Sequence, residues 1–376
     1  MVDHESAPLL ELSNVHCCYG GNTAVYQLGF RVMRGQIACL LGPSGCGKTT
    51  TLRAIAGFEP LCDGEIRVRG ETLSVPGYTV PPEQRRMGMV FQEYALFPHL
   101  TIHDNITFGL RGLSRRERQR RADELLELVD LEGFGERYPH ELSGGQQQRV
   151  SLARAVAPQP RLVLLDEPFS NLDVELRERL SREFHDIFRD QGVTAILVTH
   201  DQGEAFAMAD EVGVMNQGRI VQWDTPFNLY HEPNERFVAE FIGQGSMVSG
   251  TLIDGERIQA DELGVLRGQH GFPWPAGTRV DVLLRPDDVR MGGAPSALHG
   301  RVVKKAFKGA ETLYTLRTPG GQELLALAPS HCDYEIGDDV ALTLDTEHLV
   351  AFPADGEVAE QAEQPTAQPV RAVNVG

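Results

Sequence analysis

The sequence predicts an α/β domain built on a mostly parallel sheet, followed by a smaller all-β barrel. Up to about residue 240, short apolar runs such as RLVLLDEP (161–168) and VTAILVTH (193–200) alternate with helix-patterned segments such as RRADELLELVD (120–130). Such runs are typical of strands buried on both faces of a parallel sheet. Beyond about residue 245, polar and apolar residues alternate around turn signals such as TPGG (318–321), which indicates short strands joined by hairpins.

The composition indicates a globular protein that does not bind nucleic acid. Hydrophobic residues make up 41% and charged residues 23% of the 376 residues, and the net charge is −18. Nucleic-acid binding needs a basic surface, and the one basic segment, SRRERQRR (114–121), is typical of the solvated face of a helix. No stretch approaches the roughly 18 consecutive apolar residues of a transmembrane helix, and the acidic N-terminus lacks a signal-peptide core. We therefore expect a protein that stays in the cytosol unless a partner holds it at a membrane.

The cysteines predict neither a zinc site nor a disulfide framework. Six of them, at positions 17, 18, 39, 46, 62 and 332, show no CxxC spacing. We expect reduced thiols that are mostly buried.

A glycine-rich motif between a strand and a helix predicts a phosphate-binding loop. GPSGCGKT (42–49) fits the pattern GxxxxGK[ST], follows the strand-like GQIACLLG (35–42) and precedes the helical TTLRAIAG (50–57). Backbone N–H groups of such a loop converge on a β-phosphate, Lys48 supplies positive charge, and the Thr49 hydroxyl is a Mg²⁺ ligand. The alternative is an ordinary strand-to-helix turn. The residues expected to contact a nucleotide here are Gly42, Pro43, Ser44, Gly45, Cys46, Gly47, Lys48, Thr49 and Thr50.

Three polar side chains are expected at the carboxyl edge of the sheet, where open α/β sheets bind ligands. The apolar run in RLVLLDEPFSNLD (161–173) ends in two adjacent carboxylates. Asp166 is the expected Mg²⁺ ligand, and Glu167 is expected to orient or deprotonate an attacking water. His200 ends another apolar run and is placed to connect Glu167 to a γ-phosphate. The alternatives are that both carboxylates cap the following turn and that His200 is a satisfied surface histidine.

Two further candidates rest on weaker signals. Gln92, in MVFQEYALFPHL (89–100), follows an apolar stretch and is expected to place its amide near Mg²⁺ or the attacking water, although loop glutamines are common. Tyr19, in HCCYGG (16–21), is a candidate for stacking on an adenine ring. A half-buried strand aromatic explains Tyr19 equally well.

A second glycine-rich segment, LSGGQ (142–146), predicts another anion site at a helix N-terminus. Ser143 and Gln146 have the spacing of a capping box. Gly144 and Gly145 fill the first helical turn, where each glycine costs roughly 1 kcal/mol relative to alanine. Such a pair is typical of backbone that a phosphate approaches closely.

Together these elements resemble the ATP-binding cassette (ABC) family of P-loop NTPases. The phosphate loop, Gln92, LSGGQ, LLDEP (164–168) with SNLD (170–173), and His200 occur in the family's order, and the resemblance covers about residues 8–240. It implies an adenine-stacking role for Tyr19, the Q-loop for Gln92, Walker B for Asp166 and Glu167, the D-loop for Asp173 and the switch histidine for His200.

The resemblance also implies a homodimer. In this family LSGGQ faces the γ-phosphate held by residues 42–49 of the other copy, with Ser143 and the backbone of Gly144 and Gly145 as donors. Cys46 is a common variant in the family's phosphate loop. Because it lies at a helix N-terminus, we expect a lowered thiol pKa and sensitivity to oxidation.

The C-terminal part resembles the OB-like TOBE barrel of importer ATPases. LLRPDDV (283–289) and the run from GRVV to GAETLY (300–314) match its landmarks. This barrel has two possible functions under the resemblance: it holds a regulatory ligand site, or it is a dimer scaffold without a ligand. The predicted organisation is an ABC domain over 1–242 with a helical subdomain over about 93–160, a TOBE-type domain over 243–353, and a disordered tail over 354–376.

The resemblance implies the ATPase subunit of an ABC import system that hydrolyses Mg·ATP. ALFPHLTIHDNITFGL (95–110), QWDTPFNLYHEP (222–233) and FIGQG (241–245) most resemble ferric-iron importers. Spermidine/putrescine, sulfate and other small-solute importers are near relatives. The different-class alternative, a soluble ABC ATPase that acts on DNA or ribosomes, is disfavoured by the single cassette and the acidic charge.

The implied partners are a second copy of the chain, integral-membrane permease subunits and, through the complex, a periplasmic or lipoprotein solute-binding protein. The expected location is peripheral, at the cytoplasmic face of the inner membrane. EYALFPHL (93–100) is expected to receive a helix of the permease, although a local hydrophobic cluster is the plain alternative.

Overall fold

The computed structural model describes residues 7–19, 22–268, 271–292, 298–345 and 348–354. The chain divides into two compact units, Met1–Tyr230 and His231–Gly376. The predicted disordered tail, 354–376, lies outside the described residues except for its first residue. Among the described residues, no helix is long and apolar enough to cross a membrane.

The first unit alternates strands and helices. Its strands are β1 (Leu10–Tyr19), β2 (Asn22–Val32), β3 (Ile37–Leu41), β4 (Asp63–Val68), β5 (Glu71–Val75), β6 (Tyr78–Thr79), β7 (Met87–Val90), β8 (Leu162–Asp166), β9 (Ala195–Thr199), β10 (Glu211–Asn216) and β11 (Arg219–Asp224). Its helices are α1 (Lys48–Ala56), α2 (Ile102–Thr107), α3 (Arg115–Leu128), α4 (Gly144–Val156), α5 (Val174–Asp190) and α6 (Gln202–Met208), with short 3-10 turns at Pro82–Gln84 and Pro139–Glu141.

A six-stranded sheet in the order β11-β10-β3-β9-β8-β7 carries the first unit. All its neighbouring pairs run parallel except β10 with β11, which confirms the predicted mostly parallel sheet. Every residue of β3, β8 and β9 is buried, so their apolar sequences follow from burial on both faces. Their carboxyl ends meet at one edge, where Leu41 pairs with Thr199 and Asp166 pairs with Val198.

A second sheet of the first unit is antiparallel, in the order β2-β1-β4-β5-β6. Its inner face and helix α1 contribute to one hydrophobic core with strands of the parallel sheet.

The expectation that all cysteines are reduced is wrong for two of them, which the pairing of β1 with β4 brings together. Cys18 and Cys62 form a disulfide, with Cα atoms 6.2 Å apart. The Cys62 N–H donates to the His16 carbonyl at 2.9 Å, so strand pairing joins residues that are 44 positions apart.

Helices α2, α3 and α4 occupy the chain between β7 and β8. The basic segment forms the start of α3, where Ser114 and Glu117 make a capping box. Only Ala122, Leu125 and Leu126 of this helix are buried, so its N-terminal arginines face solvent as predicted.

The second unit is the predicted all-β barrel, preceded by short helices. Helix α7 (Pro226–His231) ends at the start of the unit, and α8 (Arg236–Phe241) follows it. Its strands are β12 (Ser246–Leu252), β13 (Arg257–Ala260), β14 (Gly264–Arg267), β15 (Arg279–Leu284), β16 (Val289–Met291), β17 (His299–Phe307), β18 (Glu311–Arg317), β19 (Glu323–Pro329), β20 (Asp339–Leu344) and β21 (Val350–Pro353).

Two antiparallel sheets, β14-β13-β12-β15-β21 and β16-β20-β17-β18-β19, form this nearly closed barrel around one core. Alternate residues of β18 and β19 point into the core, which explains their alternating sequences. The predicted hairpin at TPGG joins these two strands, with Arg317 paired to Glu323.

Candidate functional site

The loop after β3 has the shape of an anion cradle. Gly47 is the N-cap of α1 with a φ of 104°, and a Cβ there would lie 2.8 Å from the Ala24 carbonyl oxygen, so only glycine fits. No side chain caps α1 and its first turn holds no acidic residue. The first N–H groups of the helix can therefore donate hydrogen bonds to an anionic ligand.

Lys48 lies inside this loop. Its side chain is 5% exposed, and Nζ donates hydrogen bonds to the carbonyl oxygens of Gly42 at 2.8 Å and Pro43 at 3.0 Å. These acceptors and the Cys46 sulfur, which lies 3.9 Å from Nζ, are uncharged, so none of them offsets the positive charge that an anionic ligand would meet. These residues fit the phosphates of a nucleotide.

Thr49 and Asp166 place two hard oxygen ligands side by side. The Thr49 hydroxyl donates to Asp166 Oδ1 at 3.1 Å across the tops of α1 and β8. Burial raises the pKa of Asp166, and the hydrogen bond from Thr49 opposes that shift. Among the residues that the structure describes, no cluster of three His, Cys, Asp or Glu residues encloses a metal. A site with only a few protein ligands beside a phosphate loop is suitable for Mg²⁺, because this ion usually keeps several waters and binds substrate phosphates.

Glu167 is the meeting point of the predicted catalytic side chains. Its Oε2 lies 3.4 Å from Gln92 Nε2, which donates to it, and 3.4 Å from His200 Nδ1. Gln92, Glu167 and His200 follow the parallel strands β7, β8 and β9, so strand order alone brings them to one edge. Glu167 has a φ of 45°, a left-handed conformation that costs a non-glycine residue about 1–3 kcal/mol and is enriched at functional sites.

The LSGGQ segment begins α4 as a capping box. Ser143 Oγ accepts from the Gln146 N–H at 3.4 Å, and the Ser143 N–H donates to Gln146 Oε1 at 3.0 Å. Gly145 packs so closely on α5 that a Cβ would lie 3.0 Å from Leu176. A Cβ on Gly144 would lie 3.3 Å from Tyr94 Oη, so close packing contributes at both glycines, and Ser143 remains exposed at the helix start.

Comparison with known proteins identifies the family. Residues 25–170 match the family described as ABC transporter, and residues 282–352 match the TOBE domain. The chain is 42% identical over 362 residues to the spermidine/putrescine import ATP-binding protein PotA of Pseudomonas aeruginosa, covering 91% of this chain and 99% of that one. The chain belongs to the ABC import ATPases. Membership implies ATP binding, and ATP hydrolysis coupled to transport through separate permease subunits.

Two further relatives agree with this membership. The Fe(3+) ions import ATP-binding protein FbpC 2 of Pectobacterium atrosepticum is 42% identical over 344 residues, covering 89% of this chain and 97% of that one. A solved structure of cbiO1 from Clostridium perfringens, described as part of the ABC transporter complex cbiONQ, matches with a TM-score of 0.56 and 25% identity. That match covers 60% of this chain and 91% of the other.

The remaining sequence-predicted residues of this ABC ATPase have different outcomes. Asp173 is the N-cap of α5 and accepts from the Leu176 N–H at 3.0 Å. Tyr19 ends β1, but its side chain lies outside what the structure describes, so adenine stacking stays a prediction. Pro43, Ser44, Gly45 and Thr50 lie in the phosphate loop and the first turn of α1, as their positions require.

The expectation of a reactive Cys46 is wrong. The side chain is 4% exposed, and burial raises the pKa of its thiol above the usual value. Lys48 lowers the pKa, but its effect is the smaller one. A buried, protonated thiol is a poor nucleophile, so we do not expect selective oxidation at this loop.

Sequence reasoning missed Asn171. Its side-chain amide donates to the Gln92 carbonyl at 3.0 Å and so joins the SNLD loop to the loop that carries Gln92. The neighbouring Ser170 hydroxyl donates to the Glu167 carbonyl at 3.1 Å. The only sequence signal for either contact is their place in the motif, which does not name the partner.

Proposed function

We propose that this ABC ATPase binds Mg·ATP at residues 42–49 and uses Glu167 to activate the water that attacks the γ-phosphate. The observation that carries the proposal is the contact of one carboxylate oxygen, Glu167 Oε2, with both Gln92 and His200 at 3.4 Å. A general base must be held in one orientation to be effective, and two side chains from neighbouring strands hold this one.

The other residues bind and neutralise the phosphates. The N–H groups at the start of α1 and the ammonium group of Lys48 donate hydrogen bonds to the triphosphate oxygens. Thr49 and Asp166 would hold Mg²⁺, with Gln92 as a further ligand, and the ion would supply positive charge to the β- and γ-phosphates. Glu167 accepts a proton from the water. The water oxygen bonds to the γ-phosphorus while the bond between the γ-phosphorus and the ADP oxygen breaks. His200 stabilises the γ-phosphate and keeps Glu167 in place.

Glu167→Gln tests this assignment. The amide keeps the side chain's shape and cannot take a proton, so we expect ATP turnover to fall by about a hundredfold or more, with ATP affinity within about threefold of the wild type. Phosphate release measures turnover, and a fluorescent ATP analogue measures binding. Unchanged hydrolysis in Glu167→Gln would remove Glu167 from this role.

We further propose that the ATPase is a homodimer that works at the cytoplasmic face of the inner membrane with a permease and a solute-binding protein. Support for a permease contact comes from the helical region, where Phe108 is 55% exposed and its ring lies 4.3 Å from that of Phe97. An exposed aromatic ring that packs on a half-buried one suits a protein interface.

For the solute we propose spermidine or putrescine, with ferric ion as the second candidate. Sequence patterns favoured ferric ion, but the relatives at 42% identity include proteins named for each solute, and the polyamine name recurs among those at 41–45% identity. The test is ATPase activity of the purified complex in lipid vesicles. Stimulation by spermidine with its binding protein supports the polyamine assignment. If ferric ion stimulates the ATPase and spermidine does not, the solute is ferric ion instead.

A further inference from the structure

A buried network of charged side chains lies next to His200. Glu204, in α6, is 3% exposed, and its Oε2 accepts a hydrogen bond from the Thr199 hydroxyl at 2.6 Å. The Asp201 N–H donates to the same Thr199 hydroxyl at 3.0 Å. Thr199 is therefore tied directly to the buried carboxylate of Glu204, and Asp201 is tied to it through the Thr199 hydroxyl.

Arg177, on α5, joins this network to a different loop. Its Nη1 donates to Asp201 Oδ2 at 2.7 Å, and its Nε lies 3.5 Å from Glu204 Oε1, an ion-pair distance rather than a hydrogen bond. Its Nη2 donates to the carbonyl oxygen of Leu172 at 3.1 Å. Leu172 directly precedes Asp173, the N-cap of α5. One guanidinium group thus touches the loop after β9 and the loop before α5.

We propose that Arg177 is a positioning residue that holds the His200 loop and the Leu172–Asp173 backbone in one fixed arrangement for ATP hydrolysis. The inference rests on the roles proposed above for Glu167 and His200. His200 reaches Glu167 from this loop at 3.4 Å, so movement of the loop changes the distance between the two side chains. Displacement of about 1 Å in such a group lowers the rate of a chemical step by about a hundredfold.

The chemistry of the side chain supports this role over simple charge balance. Three nitrogens of Arg177 face three different partners, and one of them is a neutral carbonyl that needs no compensation. The planar guanidinium presents its donors in a fixed fork, which lysine cannot reproduce. If Arg177 served only to balance the buried charge of Glu204, its contact with Leu172 would be dispensable.

Four variants separate positioning from charge balance. Arg177→Gln removes the fork but leaves Glu204 buried without its cation, which endangers folding. Arg177→Gln with Glu204→Gln removes both charges, so no buried charge is left unpaired. Arg177→Lys keeps the charge without the fork. Arg179→Gln is the matched control, because Arg179 lies on the same helix with a 59% exposed side chain 3.8 Å from Glu183.

The expected result is a fall in kcat without loss of ATP binding. In the full-length protein, we expect kcat to drop about tenfold to a hundredfold in the Arg177→Gln/Glu204→Gln variant and about tenfold in Arg177→Lys, with KM for ATP within about threefold of the wild type. Arg179→Gln is expected to match the wild type. A purely structural arginine would lower the amount of folded protein without this split between kcat and KM.

Hydrogen exchange gives a readout that is independent of turnover. In the wild type, we expect ATP to slow amide exchange in residues 170–176 and 199–204 together, because Arg177 joins the two segments. In the Arg177→Gln/Glu204→Gln variant, this joint protection is expected to be lost in at least one segment.

Two results would overturn the inference: wild-type kcat in the double variant, or unchanged joint protection in it. Glu167→Gln is measured in parallel. If Glu167→Gln hydrolyses ATP normally, the proposed function fails. If Glu167→Gln is inactive while the Arg177 variants match the wild type, only the role of Arg177 fails.

Discussion

Among single residues, Asp288 couples pH to the stability of the second unit. Burial raises the pKa of its carboxyl group to about 6, although the Arg285 N–H donates to Oδ2 at 2.7 Å. An unfolded aspartic acid titrates near pH 4. Between about pH 4 and pH 6 the folded protein therefore holds a proton that the unfolded chain has lost. The contribution of Asp288 to the free energy of unfolding therefore falls as the pH rises through this range, and it is constant above it.

Asp288→Asn removes this titration and keeps an oxygen that accepts the Arg285 hydrogen bond. We expect it to stabilise the second unit at pH 7 by about 1–2 kcal/mol, less than the full linkage energy because the carboxyl group is partly exposed. The gain is expected to vanish near pH 4. Thermal unfolding across this pH range measures it, with the exposed Asp339→Asn as the control for loss of one negative charge. A gain that is constant with pH would contradict the assignment.

Among elements, a strand can be predicted from the sequence when it is buried along its whole length. β3, β8 and β9 are buried along their whole length, so unbroken apolar runs identify them. The antiparallel sheet around β1 was not predicted, because its strands mix buried and exposed residues. Its pairing of β1 with β4 also depends on contacts between distant parts of the chain, and the Cys18–Cys62 disulfide escaped prediction for the same reason.

The same principle applies to the elements of the site. The placement of Gln92, Glu167 and His200 at one edge could be predicted, because Glu167 and His200 directly follow β8 and β9, Gln92 lies two residues after β7, and these strand ends must meet. Arg177 and Glu204 lie on helices whose sequences look like ordinary solvated charge. Only the packing of α5 against α6 buries Glu204 and turns Arg177 toward Leu172.

At the scale of the whole molecule, the LSGGQ segment raises the question of whether one chain forms a complete site. Ser143 is exposed at the start of α4, and the phosphate loop is a cradle of its own at the start of α1. The family resemblance implies that each LSGGQ completes the site of a second copy, and we propose the same arrangement for this chain. Two inactive variants then complement each other: Ser143→Arg blocks only the LSGGQ segment, and Lys48→Ala disables only the phosphate loop.

A mixed dimer of these variants contains one intact composite site and one site with both defects. If subunits exchange freely and sites act independently, an equal mixture is expected to regain about a quarter of wild-type ATPase activity. A mixture of Lys48→Ala with the double variant Lys48→Ala/Ser143→Arg is the control, and it should stay inactive because no intact phosphate loop is present. Phosphate release and the sedimented mass of the ATP-bound protein are the measurements. Full activity of the wild type at dilutions where it is monomeric would show that one chain is sufficient, and the composite site would then be wrong.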